Sequence, residues 1–397
     1  MVSRRHMVEI EYVRDQDRFD GLREEWSALL SESGADNLFL TWEWLRTWWR
    51  HLSGRRRLFI VAVRQGGRLL AIAPLSTRPP GFPRLMPIFE FLGIGTAGSD
   101  YLDIIVRRGS EPEVGETLAR EMRGWNASLA LGQLREEGSS GSAVAQRLAD
   151  ERWAVSQART DVCPFIPLAG HTFDSYLGTL GREHRYNFRR RLRNLERDSA
   201  VRFDKVESEE SRGEVLSALL TLHDERWRTR GGSDAFDAAG IVAFHDEFSR
   251  LALRLGWLRL FVLRVDGQPA ATLYGFRRGR TFYFYQSGWD PRFAPRSVGL
   301  VTLGLAIRSA LEEGAEEFDL LHGSESYKLH WAREARHLAR IEAYPPGPRG
   351  LLLRKAVGVN RAGRRIARRV LGDGVSDGIS LACRLGFWRA LRAATAR

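Results

Sequence analysis

The chain has 397 residues, 43% of them hydrophobic and 28% charged, too long for one ordinary core and too apolar for disorder, so two folded units with appendages are expected. Its two cysteines, Cys163 and Cys383, lie far apart, which argues against a disulfide framework, and no metal-ligand spacing appears. The formal net charge of +12 is uneven: from Pro346 onward 12 Arg and Lys face two Asp, so +10 belongs to the end of the chain.

No apolar run approaches the roughly 20 residues of a membrane-spanning helix. The opening MVSRRHMVEIEYVRDQDRF carries acids where a secretion signal is apolar, so a cytoplasmic protein is expected. Phe19, Leu22, Trp26, Leu29 and Leu30 recur at helical spacing, as do Phe39, Trp42, Leu45, Trp48 and Trp49 behind a capping Thr41. These tryptophans read as core, because nucleic-acid surfaces interleave aromatics with a basic face. Residues 58–63 and 69–75 read as a hairpin around Gly66-Gly67, residues 99–106 as a strand, 113–125 as a helix, 129–134 as a strand and 137–142 as a Gly/Ser loop.

Residues 173–200 carry Phe188, Leu192 and Leu195 on one helical stripe, while Arg189, Arg190, Arg191, Arg193 and Arg197 crowd the rest. Such a helix is either solvated and balanced by Glu196 and Asp198, or offers guanidinium forks such as Arg189 and Arg190 to phosphate or an anionic acceptor. The next helix bears Leu216, Leu220, His223 and Trp227 on one face, and a histidine among apolar neighbours reads first as core. From 257 to 331 the chain reads as hairpin, aromatic strand, helix, buried strand and helix, with Asp266-Gly267 as a strong hairpin turn. The helix follows Arg296-Ser297-Val298-Gly299-Leu300, with Ser297 as expected N-cap and Gly314 at its end. Amides at such a start, with a glycine for close approach and an arginine outside, suit a diphosphate. No Ser-His-Asp or Cys-His constellation appears.

The R-S-V-G helix start, the run EEGAEEFDLLHG, and SYKLHW, with Gly314, Asp319, Gly323, Tyr327, Lys328 and Trp331 at their spacings, resemble the carboxy-terminal half of the CelD-like (cellulose-biosynthesis) acetyltransferases. These belong to the GNAT superfamily and are relatives of the FemAB peptidoglycan-bridge transferases. The chain departs from their pattern at Val298, where proline is common, and at Leu320 after Asp319. The resemblance implies an α/β (α+β) fold with mixed sheets: two tandem GNAT-like modules at 1–160 and 161–345, and a basic helical tail at 346–397. The order of helices, hairpin, strand, helix and strand echoes between the halves; the first, without an R-x-x-G start, is expected to be scaffold and half of an acceptor cleft.

The resemblance further implies an acyl-CoA donor, most simply acetyl-CoA, with no metal. The strand residues Tyr285 and Gln286 would meet pantetheine and carbonyl, and Arg296, Ser297, Val298, Gly299 and Leu300 the diphosphate. Tyr327 would protonate the leaving thiolate, Lys328 would stabilise the oxyanion or neutralise an acidic acceptor, and Trp227 and Arg230 would sit near the acceptor. Asp319, His322 and Glu325 are candidate bases, with Asp319 equally readable as an acceptor for loop amides. The acceptor is an amine or hydroxyl of a polysaccharide, envelope precursor or small metabolite. Alternatives are an aminoacyl-tRNA donor, or a non-catalytic binding protein on a decayed fold. The tail's mixture of Leu, Phe387, Trp388 and arginines suits an anionic membrane face, or an extra helical layer; no motif for specific nucleic-acid reading accompanies it.

Overall fold

The computed structural model describes residues 8–78, 86–228 and 240–358, with backbone alone at 223–228. The first run of elements is β1 (Val8–Val13), α1 (Gln16–Gly21), α2 (Arg23–Ser31), α3 (Trp42–Leu52), β2 (Arg57–Gln65), β3 (Arg68–Arg78), β4 (Ile88–Phe91), β5 (Ile105–Val106), α4 (Glu111–Gly124), β6 (Ser128–Arg135), α5 (Ser140–Asp150) and β7 (Ala154–Pro167). Two helices, α6 (Phe173–Thr179) and α7 (Arg182–Asp198), lead into the second run: β8 (Val201–Lys205), α8 (Glu209–Arg228), α9 (Ile241–Arg254), β9 (Leu258–Val265), β10 (Gln268–Arg278), β11 (Thr281–Trp289), α10 (Val298–Glu312), β12 (Glu317–Asp319), α11 (Ser326–Trp331) and β13 (Glu334–Tyr344).

The two runs share one order: strand, helices, three antiparallel strands, helix, strand, helix, long strand. In each, the third antiparallel strand pairs parallel with the strand after the following helix, β4 with β6 at Ile88 and Phe89, and β11 with β12 over Thr281 to Tyr283. These are two tandem GNAT-like modules, and the echo expected from the sequence is present.

All thirteen strands join one mixed sheet in the order β1-β2-β3-β4-β6-β13-β7-β12-β11-β10-β9-β8, with β5 on β3. The last strands are exchanged. β7, which ends the first module, pairs with β12 of the second, and β13 pairs with β6 of the first. β7 and β13 pair with each other along most of their length. The boundary expected at 160/161 therefore falls inside β7.

Packing across the modules is aromatic. Trp44 on α3 is fully buried and meets Phe244 and Phe248 of α9 edge-on, with ring centroids at 4.9 and 4.7 Å. Trp26 and Trp48 are buried too, as the helical spacing implied, and Thr41 caps α3 by accepting from the Trp44 amide.

Two stretches differ from expectation. Of residues 99–106, predicted as strand, only Ile105 and Val106 pair, because Ser99, Asp100 and Asp103 are buried and spend their side chains on other segments. The Gly/Ser stretch predicted as loop opens α5, with Ser139 as its N-cap. The expected basic tail is helical over 348–358, and its remainder lies outside the described residues.

Candidate active site

β11 pairs with β12 only as far as Tyr283 and then leaves it, running on to Trp289. A bulge helps the departure: Tyr274 faces Gln286 and Gly275 faces Phe284, so Tyr285 has no partner in β10. Gly275 is required there, since a Cβ would lie 2.6 Å from the Tyr283 carbonyl oxygen and 2.8 Å from the Phe282 ring. Into the opening comes the start of α10, delivered by a 3-10 turn over Pro291–Arg296.

The resulting cleft has a volume of about 330 Å³. Its floor is Leu273 and Phe284, one wall is Ser287, Gly288 and Trp289, and the other is Ser297, Val298, Gly299 and Leu300 with Tyr327 and His330 beyond. Val301 N donates to the Ser297 carbonyl at 3.1 Å, so the amides of 298–300 precede the intrahelical ladder and stand at the positive end of a 15-residue helix. Gly299 lets a ligand approach over the Trp289 ring, 3.3 Å from where a Cβ would be. One cleft is thus lined both by the start of α10 and by Tyr327.

Several expected residues are placed differently. Ser297 stands at the N-cap position in left-handed conformation (φ 55°) and makes no side-chain cap bond. The Arg296 guanidinium turns to the Ser199 hydroxyl at 2.7 Å and toward Asp266, away from the cleft. Tyr285 points through the sheet and donates to the Ala97 carbonyl at 2.6 Å, and the Gln286 side chain accepts from the neighbouring Ser287 amide. The positions of this strand that line the cleft are thus Phe284 and Ser287 to Trp289, which strand alternation without the bulge could not locate.

Lys328 is buried and holds the turn before α11: its Nζ donates to the His322 carbonyl at 2.5 Å and pairs with Glu325 at 3.1 Å. Arg189 pairs with Asp174, and Arg190 lies over the Tyr186 ring, both exposed. Arg197 is balanced by Asp198. Arg191 instead donates to the Pro295 carbonyl at 3.0 Å, at the cleft's rim. Arg230 and the side chains of Trp227 and His223 lie outside the described residues.

On the opposite face of the splay sits a polar junction between the modules. Asp319 is buried; it accepts from the Tyr101 hydroxyl and the Leu321 amide, each at 2.8 Å. Burial, with Glu317 nearby, raises its pKa to about 7, and Arg336 at 3.4 Å does not reverse this because its guanidinium is committed mainly to Glu317. Asp100, fully buried, accepts from the His322 amide at 2.9 Å and holds His322 Nδ1 at 2.8 Å. The bond to Asp100 raises the His322 pKa above its ordinary value. Asp100 carried no signal in the sequence, since its partner is 222 residues away.

In the first module the start of α4 carries Glu111, Pro112 and Glu113, and Glu111 accepts from the Gly109 amide at 2.8 Å. Two carboxylates there repel an anion. Among the described residues no group of three or more His, Cys, Asp or Glu could hold a metal, and no helix is long and apolar enough to cross a membrane.

Residues 182–329 match the family described as Acetyltransferase (GNAT) domain. No curated protein sequence matches. Among solved structures the fold is similar to FemX (TM-score 0.60, 11% identity, covering 83% of this chain and 96% of that one). It is also similar to the C-terminal domain of a putative lysylphosphatidylglycerol synthetase from Agrobacterium fabrum (TM-score 0.51, 14% identity, 85% and 96% covered) and to L-PGS from Bacillus licheniformis (TM-score 0.51, 16% identity, 86% and 95% covered). At these identities the likeness is one of fold: the chain has a two-module fold of this kind, and the segment 182–329 is similar to the GNAT acetyltransferase domain.

Proposed function

We propose that this chain is an acyltransferase whose donor lies in the cleft between β11 and α10, with its phosphorylated handle on the amides of 298–300 and its reactive carbonyl beside Tyr327. The observation that carries this is the single cleft lined at once by the start of α10 and by Tyr327. Acyl-CoA fits the cleft's chemistry: a diphosphate for the helix start, an apolar arm along Phe284 and Leu273, and a thioester at the far end. The reaction asks little covalent work of the protein, which holds the thioester beside the attacking amine or hydroxyl and gives the leaving thiolate a proton. Tyr327, which lines the cleft, is the residue we assign to that last step. Acetyl is the acyl group we assign, and the acceptor class is an amine or hydroxyl of a polysaccharide, envelope precursor or small metabolite.

A second reading, an aminoacyl-tRNA donor, is supported by the exposed arginines of α7 beside the cleft and by the fold likeness to FemX. The two separate experimentally. Acetyl-CoA is expected to raise the melting temperature of the wild type, with Tyr327→Phe keeping the shift while slowing acetyl transfer. No shift with acetyl-CoA, together with acyl transfer abolished by RNase, favours the second reading and overturns the first.

A further inference from the structure

The donor cleft occupies one face of the splay, and the junction of Asp100 and His322 occupies the other. Resting on the proposed transferase function, we propose that His322, held by Asp100 of the first module, is the general base that takes the proton from the acceptor nucleophile. Three observations converge on it.

The first is backbone geometry. Leu321 adopts φ 56° and Gly323 φ 121°, so the chain leaving β12 folds His322 back onto Asp100. A left-handed conformation in a leucine is costly. Tyr101 (φ 55°), next to Asp100, and Gln133 (φ 61°), whose side-chain amide approaches Asp100 at 3.3 Å, share the same strain. Three of the strained non-glycine positions thus surround the hydrogen-bonded pair of Asp100 and His322.

The second is the pair itself. Asp100 accepts at Nδ1, which fixes the tautomer so that Nε2 carries the lone pair, and the carboxylate stabilises the imidazolium once formed. The His322 side chain is 38% exposed while Asp100 is sealed. A purely structural pair at a module junction has no need of solvent access for its ring.

The third is the surroundings. A Cβ on Gly98 would stand 3.5 Å from His322 Cε1 and 3.9 Å from the Tyr285 hydroxyl, ordinary contact distances, so this edge of the ring is left uncrowded. The charged groups facing His322 are Asp100 and Asp161, which favour its cation, and Lys328, which opposes it; Tyr285 and Gln133 are neutral neighbours.

The step balances without a co-reactant. The acceptor's N–H or O–H gives its proton to His322 Nε2 as its nitrogen or oxygen forms a bond to the thioester carbon. The C–S bond then breaks, the thiolate takes a proton from Tyr327, and the imidazolium returns its proton to solvent as Tyr327 is reprotonated.

The test uses the full chain with acetyl-CoA as donor and ethanolamine, which carries both an amine and a hydroxyl, as acceptor, following released CoA from pH 5 to 9. Wild type is expected to lose kcat, read at saturating ethanolamine so that the amine's own protonation does not enter, on the acid side through a group with a pKa above that of an ordinary histidine, and Asp100→Asn to move that limb to lower pH. His322→Gln is expected to keep the acetyl-CoA melting shift, lose the limb and fall about 10²- to 10⁴-fold in turnover. Imidazole nitrogen NMR on wild type is expected to show His322 with its proton on Nδ1 and a raised pKa, and it decides the matter if turnover is too slow to measure. An unchanged limb in His322→Gln, or a proton resident on Nε2, overturns the assignment while leaving the donor site standing. A wild type with no acetyl-CoA shift overturns the transferase reading, and this inference with it.

Discussion

Asp319 illustrates what a single residue can and cannot disclose. Its place at the end of an apolar strand made it readable as a desolvated base or as an acceptor for loop amides. The structure gives it the bond to the Leu321 amide, and adds the Tyr101 hydroxyl from the other module, which no local pattern could reveal. Buried and raised to about 7, it holds a proton in the native state that the unfolded chain releases near pH 4. Between those values the folded state binds more protons, so stability falls as pH rises across the window. Asp319→Asn cannot titrate. We expect the melting temperature of wild type minus that of the variant to decrease from pH 4 to pH 7; a constant difference contradicts the pKa assignment. Arg296 shows the opposite case: its position before Val298 and Gly299 was correctly seen in the sequence, while the direction of its guanidinium depends on Ser199 and Asp266, which reach it only through the tertiary fold.

At the scale of elements, periodicity and turn chemistry carried most of the second module. Asp266 and Gly267 both take positive φ, as a two-residue hairpin turn requires, and α10 runs from Val298 to Glu312 with Gly314 just beyond it in left-handed conformation. What periodicity could not supply was how closely α10 meets α7. Gly304 has no Cβ because the buried Phe188 ring occupies that space, nearer than real Cβ atoms come. In an exposed helix Gly→Ala gains about 1 kcal/mol, but here a rigid ring must move, and overpacking costs about 1–3 kcal/mol. Gly304→Ala is therefore expected to lower stability in urea unfolding, and a stabilised variant contradicts the packing described. The stretch at 99–106 was misread for a related reason: its polar residues are spent on partners distant in sequence, so apolar alternation there reports burial without strand pairing.

For the whole molecule, the sequence echo between halves was legible, and the exchange of β7 and β13 was not, because strand pairing between distant segments leaves no periodic trace. The exchange has a thermodynamic consequence. Each module completes its sheet with the other's final strand, and Trp44 seals against α9 across the boundary. Neither half can unfold without exposing its partner's edge, so calorimetry is expected to show one cooperative transition; two resolved transitions contradict it.

The same architecture sets one module's α10 over the splay and leaves the other's α4 start occupied by its own glutamates, so the proposed function places its donor site on α10. Gly299→Asp tests that site directly: a carboxylate in the first turn suits the helix dipole, which offsets the tight fit of its Cβ at 3.3 Å from the Trp289 ring, while its charge repels a bound diphosphate. Melting both proteins with and without acetyl-CoA is the decisive comparison: at 100 times Kd a ligand contributes about 2.7 kcal/mol. The account predicts a clear rise for wild type and none for Gly299→Asp; an equal rise in both places the donor elsewhere and contradicts it.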